Sequence, residues 1–204
     1  QVLIAQNIKA LVVACNTATS AAAAFLRQTL DLPVIGMEPA LKPATQLRHG
    51  GAILVLATAR TLSLPKFQKL MQLYGQGAVP VPCPGLVEFV ERGVLRGEAL
   101  CSFLRDLLKP FLNRQVDAVV LGCTHYVFVR DAIAGLFPPS TLVIDGNEGT
   151  VRQLRRVLME RDLLRAEGEG SIAFQTSGDP KVFLPLMESL LSWDAEESVL
   201  PLPL

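Results

Sequence analysis

The chain has 204 residues, half of them hydrophobic, and its 19 basic side chains balance 19 acidic ones. That is apolar material for one large domain or two small ones, and it excludes general disorder. The even charge gives no footing for a nucleic-acid or anionic-membrane partner, and the longest apolar runs, such as residues 10–15 and 21–26, are too short to span a bilayer.

In chain order, residues 10–14 (ALVVA) read as a fully buried strand, short, Val-rich and without polar alternation. Residues 18–30 read as a helix that Asp31-Leu-Pro33 ends, and 34–37 as a second strand. A helix over 39–48 closes at Gly50-Gly51, a strand follows over 52–57, and one helix spans 62–74 before Gly75. Residues 79–81 form a short strand. Cys83-Pro84-Gly85 opens a short helix to Arg92, and a longer helix covers 97–111. Residues 117–122 (DAVVLG) are another buried strand, with a helix near 128–136 and a strand over 141–144. A long amphipathic helix over 148–164, a strand over 171–175 and a helix over 180–191 complete the pattern, and 193–204 read as a mobile tail. Strand–helix alternation with buried strands implies an α/β fold built on parallel sheets covered on both faces. Ligands in such folds bind at the carboxyl ends of strands, so polar residues directly after a strand are the ones to inspect.

The four cysteines, Cys15, Cys83, Cys101 and Cys123, form no Cys-x-x-Cys pair and read as reduced thiols of a cytoplasmic protein. The chain opens Gln1-Val-Leu-Ile, with neither Met nor a basic region before an apolar stretch, so no secretory leader is expected and the sequence reads as starting inside a larger protein.

Two strand ends repeat one pattern. Lys9-Ala-Leu-Val-Val-Ala-Cys15-Asn-Thr17 parallels Asp117-Ala-Val-Val-Leu-Gly-Cys123-Thr124-His125. Each sets a charged residue, a small residue, three aliphatics and a small residue before Cys and a nearby hydroxyl. A single free cysteine here would read equally well as a small buried hydrophobe. Two in matched settings favour chemistry, because a thiol at a helix amino terminus meets unpaired N–H groups that depress its pKa toward neutrality. Two like thiols on two similar half-structures suit inversion of a carbon centre. One removes a proton from one face, the other delivers a proton to the opposite face, and the roles exchange in reverse. The intermediate carbanion then relies on backbone N–H groups and donors such as Asn16, Thr17, Thr124 and His125 in a water-poor site.

At these residues the chain resembles the glutamate racemase family. The resemblance rests on Cys15-Asn-Thr17 and Gly122-Cys-Thr-His-Tyr126, the second being the more specific, since related aspartate racemases usually carry Glu at the place of His125. Further matches are Val34-Ile-Gly-Met-Glu-Pro-Ala40, Leu56-Ala-Thr58 with Thr61, the stretch from Cys83-Pro84 to Glu91-Arg-Gly93, and Thr176-Ser-Gly-Asp179. The resemblance implies that Cys15 and Cys123 are the acid/base pair, that His125 helps activate Cys123 and that Glu91 assists it. It implies substrate binding by Asn16 and Thr17 on one side, Thr124 and His125 on the other, and Thr58 and Thr61 along the pocket. It further implies a cofactor-independent, metal-free isomerase of the bacterial cytoplasm, a homodimer supplying D-glutamate for peptidoglycan. The implied architecture is two pseudo-symmetric α/β domains with the site between them: 1–40 plus 150–192, and 41–149.

Three departures stand out. The family's opening strand with Asp-Ser-Gly, whose Asp supports the first cysteine, and a later Tyr-Gly segment have no counterpart here, which amounts to about one or two βα units. Asp145-Gly146 stands where Asp-Ser is commoner, and Glu88 where Pro is common. The first departure predicts weak or no turnover from these 204 residues alone.

Other residues read as structural. Cys83 lacks a Thr partner, Cys101 lies inside an apolar helix, His49 sits in a solvated turn, and Arg152, Arg155 and Arg156 form a solvated helix face. Trp193 has no assigned role. Three rival functions remain at this level. One is an aspartate or hydantoin racemase, which a substrate panel separates. Another is a thiol hydrolase with Cys123 as nucleophile, His125 as base and Glu91 as orienter, which would trap an acyl-enzyme. The last is a non-catalytic domain, either partner-binding or zinc-binding through Cys15, Cys123 and His125, the zinc version lacking a close-set ligand pair beyond Cys-x-His.

Overall fold

The computed structural model describes residues 2–168 and 171–198. After a short 3-10 turn, the first elements are β1 (Leu11–Val13), α1 (Asn16–Thr29), β2 (Val34–Gly36) and α2 (Leu41–Gln46). Next come β3 (Ala52–Ala57), α3 (Ala59–Ser63), α4 (Pro65–Tyr74), β4 (Ala78–Pro82), α5 (Leu86–Glu91) and α6 (Glu98–Leu108). The remainder holds β5 (Val116–Leu121), a 3-10 turn over Thr124–Val129, α7 (Arg130–Ala134), β6 (Leu142–Asp145), α8 (Asn147–Glu160) and α9 (Pro180–Ser198).

Every strand pair is parallel, as the alternation of elements predicts. β1 and β2 form a two-stranded sheet, and the other four strands pair in the order β4-β3-β5-β6. The strands at the centre, β3 and β5, are aliphatic at nearly every position because both of their faces are covered. Leu54, Leu56, Val119 and Leu121 point to one side, into a cluster with Leu86, Leu100, Leu104 and Tyr126. Ile53, Val55, Ala118 and Val120 point to the other, against Leu41, Phe67 and Leu70. Each fully buried Leu contributes about 1.5–3 kcal/mol by leaving water, so this four-stranded sheet is the stable frame on which the site is hung.

The smaller sheet is fastened by a side chain. Thr19 Oγ1 donates to the Val13 carbonyl oxygen at 3.0 Å and accepts from the Met37 amide at 3.0 Å, tying the ends of β1 and β2 to α1.

Four readings change. The single helix expected over 62–74 is two, because Pro65 forces Leu64 into extended backbone (φ −81, ψ 144) and starts α4 afresh. The helix expected near 128–136 is a 3-10 turn followed by the short α7. Residues 171–175 form no strand: no neighbour offers them a ladder, and Ile172 is 72% exposed. The last helix continues through Ser198 instead of ending at 191, while the side chain of Trp193 and residues 199–204 of the expected tail lie outside the described ones. No helix among the described residues is long and apolar enough to cross a membrane.

Candidate active site

Both repeated strand ends deliver a cysteine to the start of a helical segment. Cys15 follows β1 in extended backbone (φ −152, ψ 126) and caps α1, its Sγ accepting from the Ala18 amide at 3.5 Å. Cys123 follows β5 in nearly the same conformation (φ −137, ψ 136) and leads into the 3-10 turn. The likeness read in the sequence is therefore a likeness of backbone. Cys15 is exposed and Cys123 half-buried.

Gly122 and Asn16 join the two strand ends. The Gly122 amide donates to the Leu56 carbonyl oxygen at 2.7 Å, which holds the end of β5 against β3. A Cβ at Gly122 would lie 2.8 Å from that same oxygen, so the approach requires glycine. Asn16 Nδ2 donates to the Gly122 carbonyl oxygen at 2.8 Å across 106 residues of sequence. Thus the residue after Cys15 grips the residue before Cys123. Asn16, expected to bind substrate, is 7% exposed and has its amide donor committed to this joint.

On the Cys123 side, Sγ lies 3.8 Å from His125 Nδ1, and His125 Nε2 lies 3.2 Å from Glu91 Oε1. Glu91 ends α5, which packs on the 3-10 turn. With the proton on Nε2 donated to Glu91, Nδ1 presents its lone pair to the Cys123 thiol. His125 and Glu91 side chains are 37% and 60% exposed, so this pair stands in partly solvated surroundings.

Burial pushes the Cys123 thiol up from its ordinary range; the His125 amide opposes this, the charge of Cys15 adds to it, and the Tyr126 amide opposes it. The net direction reverses the depressed thiol expected from the sequence. Cys123 is followed by a six-residue 3-10 turn, not by a long helix, so it lacks the aligned dipoles that would favour a thiolate. The contribution from Cys15 also means that the two sulfurs lie within electrostatic reach of each other.

The hydroxyls form a second group. Thr17 Oγ1 lies 2.7 Å from Thr61 Oγ1, which lies 3.0 Å from Thr58 Oγ1, while Thr58 caps α3 by accepting from the Thr61 amide at 3.1 Å. Thr17, Thr58 and Thr61 thus come together beside Cys15. Thr124 opens the turn beside Cys123, half-buried.

Sequence reasoning missed the parts that set this arrangement. Gly122 and Tyr126 stand in the family motif without a role of their own, and nothing in local spacing pairs Gly122 with Asn16. Tyr126, fully buried, donates from its hydroxyl to the Cys83 carbonyl oxygen at 3.4 Å beneath the turn. Cys83 is itself buried, and its thiol is pushed up to about 12 by that burial. Cys101 is half-buried on α6, and His49 is exposed. Among the described residues no cluster of three His, Cys, Asp or Glu side chains could hold a metal ion. A groove of about 1130 Å³ between α2, α4 and α8 touches neither Cys15 nor Cys123; the geometry above, not that groove, marks the candidate site.

Comparison with known proteins identifies what the chain is similar to. The sequence pattern of the Asp/Glu/Hydantoin racemase family matches residues 1–154. The chain is 46% identical over 193 residues to a glutamate racemase of Clostridium perfringens, covering 93% of this chain and 74% of that protein. A glutamate racemase of Clostridium botulinum is 41% identical, with 93% and 75% covered. Among solved structures, the chain is similar to Escherichia coli glutamate racemase in complex with L-glutamate and an activator, at 28% identity and a TM-score of 0.77, covering 93% of this chain and 74% of that one. It is also similar to the Thermus thermophilus glutamate racemase in complex with β-chloro-D-alanine, at 33% identity and a TM-score of 0.75, with 92% and 70% covered.

Proposed function

The chain belongs to the Asp/Glu/hydantoin racemase family, and from that premise we propose that it interconverts L- and D-glutamate by proton exchange between Cys15 and Cys123. One observation carries the mechanism: two cysteines end parallel strands of separate sheets in matching backbone, and a single hydrogen bond from Asn16 to Gly122 joins those ends. In one direction the thiolate of one cysteine takes the α-proton, and the thiol of the other gives its S–H proton to the opposite face of the carbanion. The reverse direction exchanges the two. Bonds to hydrogen break and form in equal number and no electron is transferred, so the step asks for no redox cofactor.

The site's parts divide this work. Cys123, held protonated by burial, starts as the acid. When it must act as base, His125 Nδ1 accepts its proton, and Glu91 steadies the imidazolium so formed. Backbone N–H groups at the start of α1 and of the 3-10 turn, with the hydroxyls of Thr17, Thr58 and Thr124, face the substrate carboxylates and the developing charge, while buried Thr61, expected along the pocket, holds Thr17 and Thr58 from behind. We divide the chain into 1–40 plus 150–192 and 41–149, with this site between them. D-Glutamate for peptidoglycan in the cytoplasm, made by a homodimer, is the matching physiological setting.

The decisive measurement is solvent deuterium entering the α-position of each enantiomer in the full chain. Cys15→Ser and Cys123→Ser should each abolish two-way racemisation while leaving one-sided chemistry, such as elimination from a β-substituted glutamate. Normal racemisation by both single variants would end the two-thiol reading.

A second reading draws on the Cys123–His125–Glu91 succession, which also suits a thiol hydrolase. That reading gives no task to Cys15. An acyl-enzyme trapped on Cys123 without α-deuterium exchange would favour it.

A further inference from the structure

Asn16 and Ser20 lie one turn apart on α1 and face the seam with α3 and α4. Behind Asn16 the seam holds a partly open cavity of about 20 Å³, lined by Asn16, Ser20, Met37, Thr61, Phe67 and Leu70 and also by Glu38 and Lys66, whose charges pair with each other at 2.9 Å. Two buried polar atoms at this place, Asn16 Oδ1 and Ser20 Oγ, have no protein partner. Thr61 is already engaged by Thr17 and Thr58. A serine inside a helix commonly bonds the carbonyl four residues back, and Ser20 does not. A cavity of about 10–15 Å³ already admits one water when two or more polar groups face it, so this one has room for a single molecule.

We propose that one water fills the cavity, donating to Asn16 Oδ1 and bonded to Ser20 Oγ, and that Ser20 is thereby a positioning residue for both thiols. The water fixes the plane of the Asn16 amide, whose Nδ2 grips the Gly122 carbonyl between the two cysteine-bearing strand ends. Ser20 touches neither substrate nor thiol and acts only through this chain of bonds. The positioning role rests on the two-thiol reading above; the water site does not.

Two measurements on the full chain test this. Crystals of the wild type should show one water within hydrogen-bonding distance of both atoms, and the Asn16 side-chain amide protons should give a nuclear Overhauser effect to it. Ser20→Val places a methyl in the cavity and expels the water; kcat should fall about tenfold in both directions with KM changed less than about twofold. Ser20→Ala leaves room for the water, so kcat should fall by about threefold, with shifted Asn16 amide resonances. A dry wild-type cavity, without density or Overhauser effect, overturns the proposal. Wild-type kcat in Ser20→Val, or in Ser20→Ala should the valine variant not fold, overturns the positioning role. In the full-length parent, a wild type that fails to exchange the α-proton refutes the two-thiol reading instead, while density and Overhauser effect still decide the water.

Discussion

Replacing Gly122 with alanine adds one methyl where β5 runs closest to β3. The new Cβ would sit 2.8 Å from the Leu56 carbonyl oxygen, 3.1 Å from the Ala57 Cβ and 3.6 Å from Pro39 Cγ. Carbon and carbonyl oxygen settle at about 3.3–3.6 Å, so the strands must part by roughly half an ångström. Little there can yield. Leu56 and Ala57 are fully buried, and the Leu56 oxygen already accepts from the Gly122 amide at 2.7 Å. Gly122 does not have a positive φ, so the cost is steric and not conformational. Overpacking of this kind costs about 1–3 kcal/mol. At about 2–4 °C per kcal/mol for a chain of this size, Tm should fall by roughly 2–12 °C. The same displacement moves Cys123 and withdraws the acceptor of Asn16, and kcat should fall about tenfold in both directions. Thermal unfolding by circular dichroism and racemisation followed from each enantiomer measure the two effects. A variant that melts within about one degree of wild type and turns over normally would refute the idea that this contact sets the thiol.

Cys83 predicts an alkaline limb. Its neutral thiol fits the fold, so its contribution to stability is full below its ordinary 9.0 and is lost as pH climbs toward about 12. The loss runs at up to about 1.4 kcal/mol per pH unit, and Cys83→Ala should flatten that part of an unfolding-versus-pH curve. Asp117 predicts an acid limb. Burial raises its pKa, but the amides of His49 and Gly51 and the side chain of Gln115 outweigh it and lower the carboxyl overall. Its contribution is present above its ordinary 3.8 and is lost as pH falls through the folded value, so Asp117→Asn should show a shallower acid transition. Glu91→Gln should lower kcat roughly three- to tenfold, more in the direction that uses Cys123 as base; an equal loss in both directions would deny Glu91 its assignment to that thiol.

The legible parts of the fold were those decided by local chemistry. β3 and β5 declare themselves because an uninterrupted aliphatic run fits only a strand covered on both faces. Leu64 before Pro65 carried the helix break in plain sight, and the apolar spacing across it hid the signal. Residues 171–175 went wrong for the opposite reason. Ile172 and Phe174 alternate like a half-buried strand, yet a strand exists only beside another, and the described contact is a pair of side-chain amides between Gln6 and Gln175. In the site, the cysteines were legible from their repeated context and the threonines from their family match. The Asn16–Gly122 joint was not, because a bond across 106 residues leaves no trace in local spacing. The direction of the Cys123 shift depended on how deeply the turn is packed, which the order of residues does not record.

The repulsion between Cys15 and Cys123 has a consequence for successive turnovers. In the proposed exchange one sulfur begins as thiolate and the other as thiol, and each catalytic event leaves the hydrogen on the opposite side. A molecule that has just turned one enantiomer into the other is then primed to take that product back, and not for another copy of the starting enantiomer. Before repeating itself it must trade hydrogens with bulk water. The partly solvated His125, 3.8 Å from the Cys123 sulfur, offers a route for that exchange.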